Sequence, residues 1–318
     1  MKAAVYTQYG APEVLQVKEL AKPSPKNNEI LIKIHATSVT SGDCRLRKAD
    51  PFAVRFIFGL FKPKKNVLGG VLSGEVEAVG ENVTKFKAGD AVFGSSYPDF
   101  GAYAEYICLP ENGKLAIKPQ NISHEEAAAL PFGGMTALHF LQKANIQPGQ
   151  KVLVYGASGA VGSAAVQIAK YLGAEVTGVC STGNMEMVRS LGADHVIDYT
   201  KTDFSTTGVQ YDVVYETVNK ASVASCIAAL KKNGTLVLGA SMPKEMLQGT
   251  WASMTSAVKV ISGVSDETAE SVHFLKKMTE EGKMKAVVDK IFPLADIAAA
   301  HAYVDKGHKK GNVVVGLI

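Results

Sequence analysis

Three glycines spaced three residues apart mark the first place where residue types and spacing suggest chemistry. Gly156, Gly159 and Gly162 follow an apolar run at 151–155 and open a stretch of helical spacing at 160–171. Small residues let a backbone approach a phosphate, and a helix start offers free N–H groups and a positive dipole end. This variant of the dinucleotide fingerprint predicts pyrophosphate binding, with a tight turn without ligand as the alternative.

The end of the next predicted strand carries hydroxyl and amide side chains instead of a carboxylate. Enzymes that use NAD usually place an Asp or Glu about 20 residues after the glycines, where it binds the ribose 2′-OH. Residues 179–184 read Val-Cys-Ser-Thr-Gly-Asn and contain no acid. This absence favours NADPH over NADH, although turn chemistry or helix capping is the alternative for these hydroxyls. The predicted contacts near the 2′-phosphate are Ser181, Thr182, Asn184 and Tyr199.

The elements that would position these residues alternate between strand and helix. Strands are predicted at 151–155, 175–180, 195–198, 212–215, 235–238 and 258–262. This alternation predicts an α/β fold with a doubly wound parallel sheet. Short apolar segments bounded by turn residues in the first ~120 residues predict a barrel-like sheet instead. Between the two, Ser123–Glu126 has the pattern of a capping box and predicts the start of a helix that includes residues 127–130. A second helical stretch is predicted at 136–143.

Composition limits the classes of protein that fit. A chain of 318 residues suggests two domains, and 47% hydrophobic residues exclude a disordered chain. A net charge of +4 without strong clustering gives no support for nucleic-acid binding. Four scattered cysteines, no apolar leader at the N-terminus and no long apolar run predict a cytoplasmic protein without a membrane segment.

Motifs along nearly the whole chain resemble the medium-chain dehydrogenase/reductase superfamily, in its zinc-free quinone oxidoreductase and enone reductase branch. The motifs are the opening Met-Lys-Ala, residues 68–70 with 74–80, 88–94, 101–106, 134–137, the glycines at 156–162, 191–194 and 307–314. The resemblance implies a chaperonin-10-like (GroES-like) β-barrel catalytic domain at 1–122 and 265–318. It also implies an NADP-binding Rossmann domain at 123–264 and a homodimer.

The resemblance also bears on metal binding. Zinc-dependent members place ligands at positions that match Thr40, residues 69–71 and residues 132–134, and none of these is a Cys or His. We therefore expect no metal. Because zinc polarises the oxygen of a simple carbonyl, a chain without it is expected to reduce a quinone or an α,β-unsaturated carbonyl, whose conjugation spreads the developing charge.

Site residues follow from the same resemblance. Thr40 and Asp43 are the predicted catalytic residues, although relatives often carry Asn at the first position, and Asp43 suits a helix cap equally well. Tyr97, Tyr103 and Arg47 are possible lining residues, with packing the commoner role for tyrosine. The resemblance implies pyrophosphate contacts at Ser158, Gly159, Ala160 and Val161. It implies further cofactor contacts at Thr136, Thr217, Val218, Gly239, Ala240, Ser241, Gly263, Val264, Lys310, Gly311 and Asn312.

Two other functions stay open at this stage. One is an alcohol dehydrogenase-like enzyme, which the residues at 40 and 70 disfavour. The other is a non-catalytic NADPH-binding protein. The phenylalanines at 52, 56, 58 and 61 suggest an apolar wall or a dimer contact, and the lysines at 62, 64 and 65 suggest a solvated loop.

Overall fold

Two large β-sheets, one in each of two compact units, form the framework of the protein. The computed structural model describes residues 1–240 and 257–317. One compact unit comprises Met1–Phe132, Thr268–Glu280 and Ala286–Ile318, and the other comprises Gly133–Glu267 and Glu281–Lys285.

A seven-stranded, largely antiparallel sheet organises the first unit. Its longest strand, Glu29–Val39, pairs in antiparallel fashion with Val71–Val79, Tyr106–Pro110 and Asn312–Gly316. The end of the chain therefore pairs directly with a strand from its beginning. The other strands of this sheet are Ala91–Ser95, Lys114–Ile117 and Val288–Pro293, and a separate hairpin consists of Lys2–Val5 and Gln16–Glu19.

A six-stranded parallel sheet organises the second unit. Its strands lie in the spatial order His195–Asp198, Glu175–Cys180, Lys151–Tyr155, Tyr211–Glu216, Leu230–Leu238 and Lys259–Ser262. In chain order this is 3-2-1-4-5-6, the doubly wound arrangement that binds dinucleotides where the order reverses. The predicted fold class is therefore confirmed. The reversal falls between the first and fourth strands, so the carboxyl ends of these two strands mark the expected binding crevice.

Burial explains why the first strand of this sheet is central. Val152, Leu153 and Val154 are fully buried. The following helix, Ala160–Tyr171, turns a face of small residues inward, because Ala164, Ala165 and their neighbours are also buried. A continuous apolar run covered on both faces is typical of a parallel strand.

The helices of the described residues are short apart from one. Their bounds are Ser41–Lys48, Val54–Phe58, His124–Ala144, Ala160–Tyr171, Met185–Ser190, Val223–Ala228, Ala269–Glu280 and Ile297–Asp305. Within residues 1–240 and 257–317, none of them has the length and apolar character needed to cross a membrane.

The longest helix corrects one sequence prediction. Two helical stretches were predicted after Ser123, but His124–Ala144 is a single helix with Pro131 inside it. Proline removes one hydrogen bond and usually breaks a helix. Leu130 and Met135, on either side of it, are buried, so packing holds the helix together across the proline. The predicted capping box is present, because Glu126 N donates to Ser123 Oγ and Ser123 N donates to Glu126 Oε2.

Candidate active site

The glycine loop (residues 156–162) connects strand Lys151–Tyr155 to helix Ala160–Tyr171. A Cβ atom on Gly162 would lie 2.1 Å from the carbonyl oxygen of Gly156, and one on Gly156 would lie 2.6 Å from Val218 Cγ1. Gly156 also has a φ of +81°, which residues with side chains rarely adopt. Both positions therefore accept only glycine without a backbone shift.

The helix that follows the glycine loop begins without a side-chain cap. Gly159 is the N-cap residue, with φ −82° and ψ 178°, and no side chain accepts a hydrogen bond from the first turn. The first backbone N–H groups of a helix have no partner inside the helix. Together with the helix dipole they suit a phosphate, so the loop fits the pyrophosphate of a dinucleotide.

Three predicted cofactor residues meet at the edge of the glycine loop. Asn184 Nδ2 donates to Ser158 Oγ at 3.1 Å and to Ser181 Oγ at 3.2 Å. Ser158 belongs to the loop, whereas Ser181 and Asn184 follow strand Glu175–Cys180. The amide of Asn184 therefore holds the two predicted phosphate-binding segments side by side.

The structure also reveals an acid that the sequence analysis missed. Asp198 ends strand His195–Asp198, in register with Cys180 of the neighbouring strand. Its carboxylate accepts hydrogen bonds from Thr182 Oγ1 at 2.5 Å and from Thr200 Oγ1 at 2.7 Å. These hydrogen bonds lower the pKa of Asp198. The parallel alignment of the second and third strands was the signal that could have revealed it.

Tyr199 follows this acid directly. Its side chain is half exposed, and its ring centroid lies 6.4 Å from that of Tyr155, in a tilted arrangement. Its backbone N–H donates to Cys180 O at 3.1 Å. The residue therefore lies at the same strand ends as Ser181 and Thr182, where it was predicted to contact the cofactor.

Other predicted residues lie at the ends of the central strands. Thr217 Oγ1 donates to Tyr155 O at 2.8 Å, which places Thr217 against the start of the glycine loop. Gly239 N donates to Glu216 O at 2.9 Å, which links the ends of the fourth and fifth strands. Val218 and Val264 are exposed at the ends of their strands. Thr136, Ala240 and Gly263 also belong to this unit, and Ser241 lies outside the described residues.

The last three predicted cofactor residues belong to the other unit. Lys310 N donates to Asp289 Oδ2 at 3.1 Å, and Asn312 N donates to Val287 O at 2.8 Å. Gly311 has a φ of +49°, and a Cβ there would lie 2.2 Å from Val287 O. These contacts fix the turn before the last strand, and a contact with the cofactor stays a prediction.

A small hydrogen-bonded group in the first unit contains both predicted catalytic residues. Thr40 caps helix Ser41–Lys48, and its Oγ1 donates to Asp43 Oδ2 at 2.7 Å and accepts from Asp43 N at 3.1 Å. Gly69 N donates to the other carboxylate oxygen of Asp43 at 3.2 Å. Asp43 is fully buried, and its burial raises its pKa despite these hydrogen bonds. Its side chain can therefore affect a substrate only through Thr40.

Tyr97 extends this group. Its hydroxyl lies 3.1 Å from Thr40 Oγ1. Its ring packs on Gly70, where an added Cβ would lie 2.0 Å from the ring. A side chain at position 70 is therefore excluded by the tyrosine. From the sequence, Tyr97 is predicted only as one of the lining residues, since nothing local in the sequence connects it with Thr40 and Gly70.

The parts of the chain that the structure describes contain no set of side chains suited to bind a metal ion. No cluster of three or more His, Cys, Asp or Glu side chains there could hold an ion. Instead, the phenol hydroxyl of Tyr97 lies next to the hydroxyl of Thr40, which donates a hydrogen bond to the carboxylate of Asp43. This arrangement can donate a hydrogen bond to an oxygen atom.

The four cysteines of the chain have free thiols. Cys44, Cys180 and Cys226 are buried, and Cys108 is partly buried. Burial raises the pKa of all four thiols, to about 11 for Cys180 and about 12 for Cys226. Cys44 Sγ also lies 3.4 Å from Nδ1 of the buried His301.

Comparisons with known proteins agree with this geometry. A family model described as an alcohol dehydrogenase GroES-like domain matches residues 26–120, and one described as a zinc-binding dehydrogenase matches residues 191–315. An NADPH-dependent alkenal/one oxidoreductase from Arabidopsis thaliana is 33% identical over 99% of this chain and 79% of its own length.

Two solved structures extend the likeness to the whole chain. A quinone oxidoreductase from Coxiella burnetii has a TM-score of 0.90 and 30% identity, over 100% of this chain and 99% of that one. A protein described as an NAD-dependent alcohol dehydrogenase has a TM-score of 0.88 and 30% identity, over 100% of both chains.

The fold and the relatives define an oxidoreductase that uses a nicotinamide cofactor and acts on small molecules. The chain belongs to the medium-chain dehydrogenase/reductase superfamily, in its zinc-free quinone oxidoreductase branch. The predicted family is therefore confirmed.

Proposed function

We propose that this protein is an NADPH-dependent oxidoreductase that transfers hydride to a quinone or an α,β-unsaturated carbonyl without zinc. The arrangement of Thr40, Gly70 and Tyr97 carries the proposal. The two positions that match zinc ligands hold a hydroxyl and a glycine, and the Tyr97 ring fills the space beside that glycine. A simple ketone needs strong polarisation of its oxygen, which zinc supplies as a Lewis acid, whereas a conjugated acceptor spreads its developing charge and depends less on such polarisation.

Most of the proposed contacts with the cofactor belong to the second unit. The glycine loop would hold the pyrophosphate, and Ser181, Thr182, Asn184 and Tyr199 would face the ribose and its 2′-phosphate. When bound, the reduced nicotinamide supplies the hydride. NADPH is favoured because no acid follows strand Glu175–Cys180 directly. The name of the Arabidopsis relative supports the same choice.

The residues of the first unit would bind the acceptor. The Tyr97 hydroxyl can turn its single proton from Thr40 toward a substrate oxygen, because Thr40 already has Asp43 as its partner. Thr40 and Asp43 hold the phenol in place, so we assign them positioning roles. Proton delivery to the substrate after hydride transfer comes from solvent or from a nearby hydroxyl.

The organisation of the protein is part of the proposal. We propose that residues 1–122 and 265–318 form the catalytic domain and that 123–264 form the NADP-binding domain. The contacts of Thr136, Val218, Gly239, Ala240, Gly263, Val264 and Lys310–Asn312 with the cofactor, a homodimer and a cytoplasmic location belong to the same proposal.

The direct test is oxidation of NADPH and of NADH with three acceptors: a small quinone, an enone and a simple ketone. We expect turnover with NADPH and the two conjugated acceptors, and little with the ketone. Absence of NADPH oxidation with every conjugated acceptor in a broad panel contradicts the proposal.

The two alternatives give other results in the same experiment. Oxidation of simple alcohols that a chelator abolishes indicates a metal-dependent alcohol dehydrogenase, and the second solved structure is described as an NAD-dependent alcohol dehydrogenase. Tight NADPH binding by calorimetry without any hydride transfer indicates a non-catalytic NADPH-binding protein.

A further inference from the structure

Residues 51–66, here called the Phe-Lys segment, combine exposed apolar side chains with a local excess of positive charge. They include helix Val54–Phe58 and the turn after it. Five large apolar side chains in this segment are exposed, namely Phe52, Phe56, Ile57, Leu60 and Phe61. Across the other described residues, exposed large apolar side chains occur singly or as the pair Val17 and Leu20. Clustering of this kind marks an interaction surface rather than ordinary surface composition.

Charge sets this surface apart from the rest of the chain. The Phe-Lys segment contains Arg55, Lys62, Lys64 and Lys65 and no Asp or Glu, so it carries a charge of +4. The whole chain has a net charge of +4, so the remaining residues sum to zero. The excess positive charge of the protein is therefore concentrated where its most exposed phenylalanines lie.

The backbone holds the two kinds of side chain close together. Lys64 N donates to Phe58 O at 2.8 Å, and Lys64 Nζ donates to Ile57 O at 3.4 Å, so the lysine stretch folds back on the short helix. The rings of Phe52 and Phe56 meet edge to face at 6.1 Å. The Arg55 guanidinium lies 4.8 Å from the centre of the Tyr9 ring, which connects the helix to the first residues of the same unit.

We propose that the Phe-Lys segment docks this protein peripherally on an anionic lipid surface. Phenylalanine and other apolar side chains enter the boundary between headgroups and acyl chains, while lysines stay with anionic headgroups. A second copy of this chain fits less well. Lys65 pairs with Asp99 at 2.9 Å, but the other three cations of each segment would still bring six positive charges together in such a dimer. The sequence predicts neither a membrane-spanning segment nor a membrane partner, and this proposal departs from the second of these expectations.

The test is sedimentation of the full-length protein with two kinds of vesicle, one of phosphatidylcholine alone and one containing phosphatidylglycerol. We expect binding to the anionic vesicles that weakens at high salt, because salt screens exposed charges. The double variant Phe56→Ser/Phe61→Ser is expected to bind at least about tenfold more weakly, because both side chains are largely exposed in the free protein and lose their apolar contact with lipid. The double variant Lys62→Gln/Lys64→Gln should lose about fivefold per lysine on anionic vesicles only.

Matched controls separate this surface from general effects. Ile291→Ser changes another exposed apolar side chain, and Lys232→Gln/Lys283→Gln removes two exposed charges elsewhere. Both should bind vesicles like the parent protein. Circular dichroism and thermal melts of each variant show whether it is folded.

Three results overturn the proposal. One is no sedimentation with either kind of vesicle. Another is equal binding by the lysine variant and the parent protein on anionic vesicles. The third combines two observations: the parent protein does not bind vesicles, and it forms a dimer in analytical ultracentrifugation that the substitutions Phe56→Ser/Phe61→Ser dissociate. This result assigns the surface to a second copy. None of these results depends on turnover, so they leave the proposed catalytic function to its own test.

Discussion

Replacing Tyr97 by Phe removes one hydroxyl from the group around Thr40 and keeps the ring that packs on Gly70. The Tyr97 hydroxyl lies 3.1 Å from Thr40 Oγ1, and Thr40 keeps its hydrogen bonds with Asp43 after the substitution. Because Thr40 is not left without a partner, the free energy of unfolding should fall by only about 0.5–1.5 kcal/mol, the net value of one hydrogen bond.

The effect of the same change on the reaction should be larger. Loss of one preorganised donor to a developing oxyanion lowers kcat by about 10²–10³. A conjugated acceptor spreads that charge, so we expect a decrease of about 10², which corresponds to roughly 2.7 kcal/mol. The affinity for NADPH should not change, because the predicted cofactor residues near the pyrophosphate belong to the other unit.

The assay measures kcat and KM for a quinone and an enone, with NADPH affinity from calorimetry and stability from urea unfolding. Tyr103→Phe is the matched control, because Tyr103 is fully buried beside Asp43 and cannot contact substrate. It should change stability and leave kcat within about twofold of the parent. If Tyr97→Phe also keeps kcat within about twofold for both acceptors, the assignment of Tyr97 as the donor is wrong.

Three further substitutions test other parts of the structure. Gly162→Ala places a Cβ 2.1 Å from Gly156 O and should lower the free energy of unfolding by about 1–3 kcal/mol in urea, whereas Gly183→Ala, with open space around it, should have little effect. Ser181→Asp should raise KM for NADPH about tenfold or more relative to KM for NADH, because a carboxylate repels the 2′-phosphate. An equal effect of the uncharged variant Ser181→Asn would contradict this electrostatic explanation. Burial lowers the pKa of His301 from 6.5 to about 3, so the unfolded chain takes up this proton first, and His301 alone should lower the free energy of unfolding by about 2 kcal/mol from pH 8 to pH 5. Unfolding at both pH values should show a smaller fall for His301→Leu.

The parallel sheet could be predicted because each of its strands carries its own local signal. Continuous apolar runs such as 151–155 and turn residues between the elements indicate strand and helix without knowledge of the rest of the fold. The long helix His124–Ala144 shows where local signals fail. Pro131 predicts a break, and only the burial of residues on both sides of it explains why the helix continues.

The residues of the candidate site likewise divide into those with a local signal in the sequence and those that only the fold brings together. The glycine loop is a continuous stretch, so its spacing and its flanking elements were visible in the sequence. Asp198 was missed because only the pairing of two parallel strands brings it to Thr182. Tyr97 was undervalued because its contacts with Thr40 and Gly70 join residues that are far apart in the chain. Long-range contacts of this kind leave no local pattern of spacing.

The burial of the thiols has a consequence for a protein that handles conjugated carbonyls. Such compounds are electrophiles that alkylate cysteine, and the thiolate is the form that they attack. A raised pKa keeps all four thiols protonated at neutral pH, and three of them are also shielded from solvent. Alkylation of these thiols by a reactive acceptor is therefore expected to be slow at neutral pH.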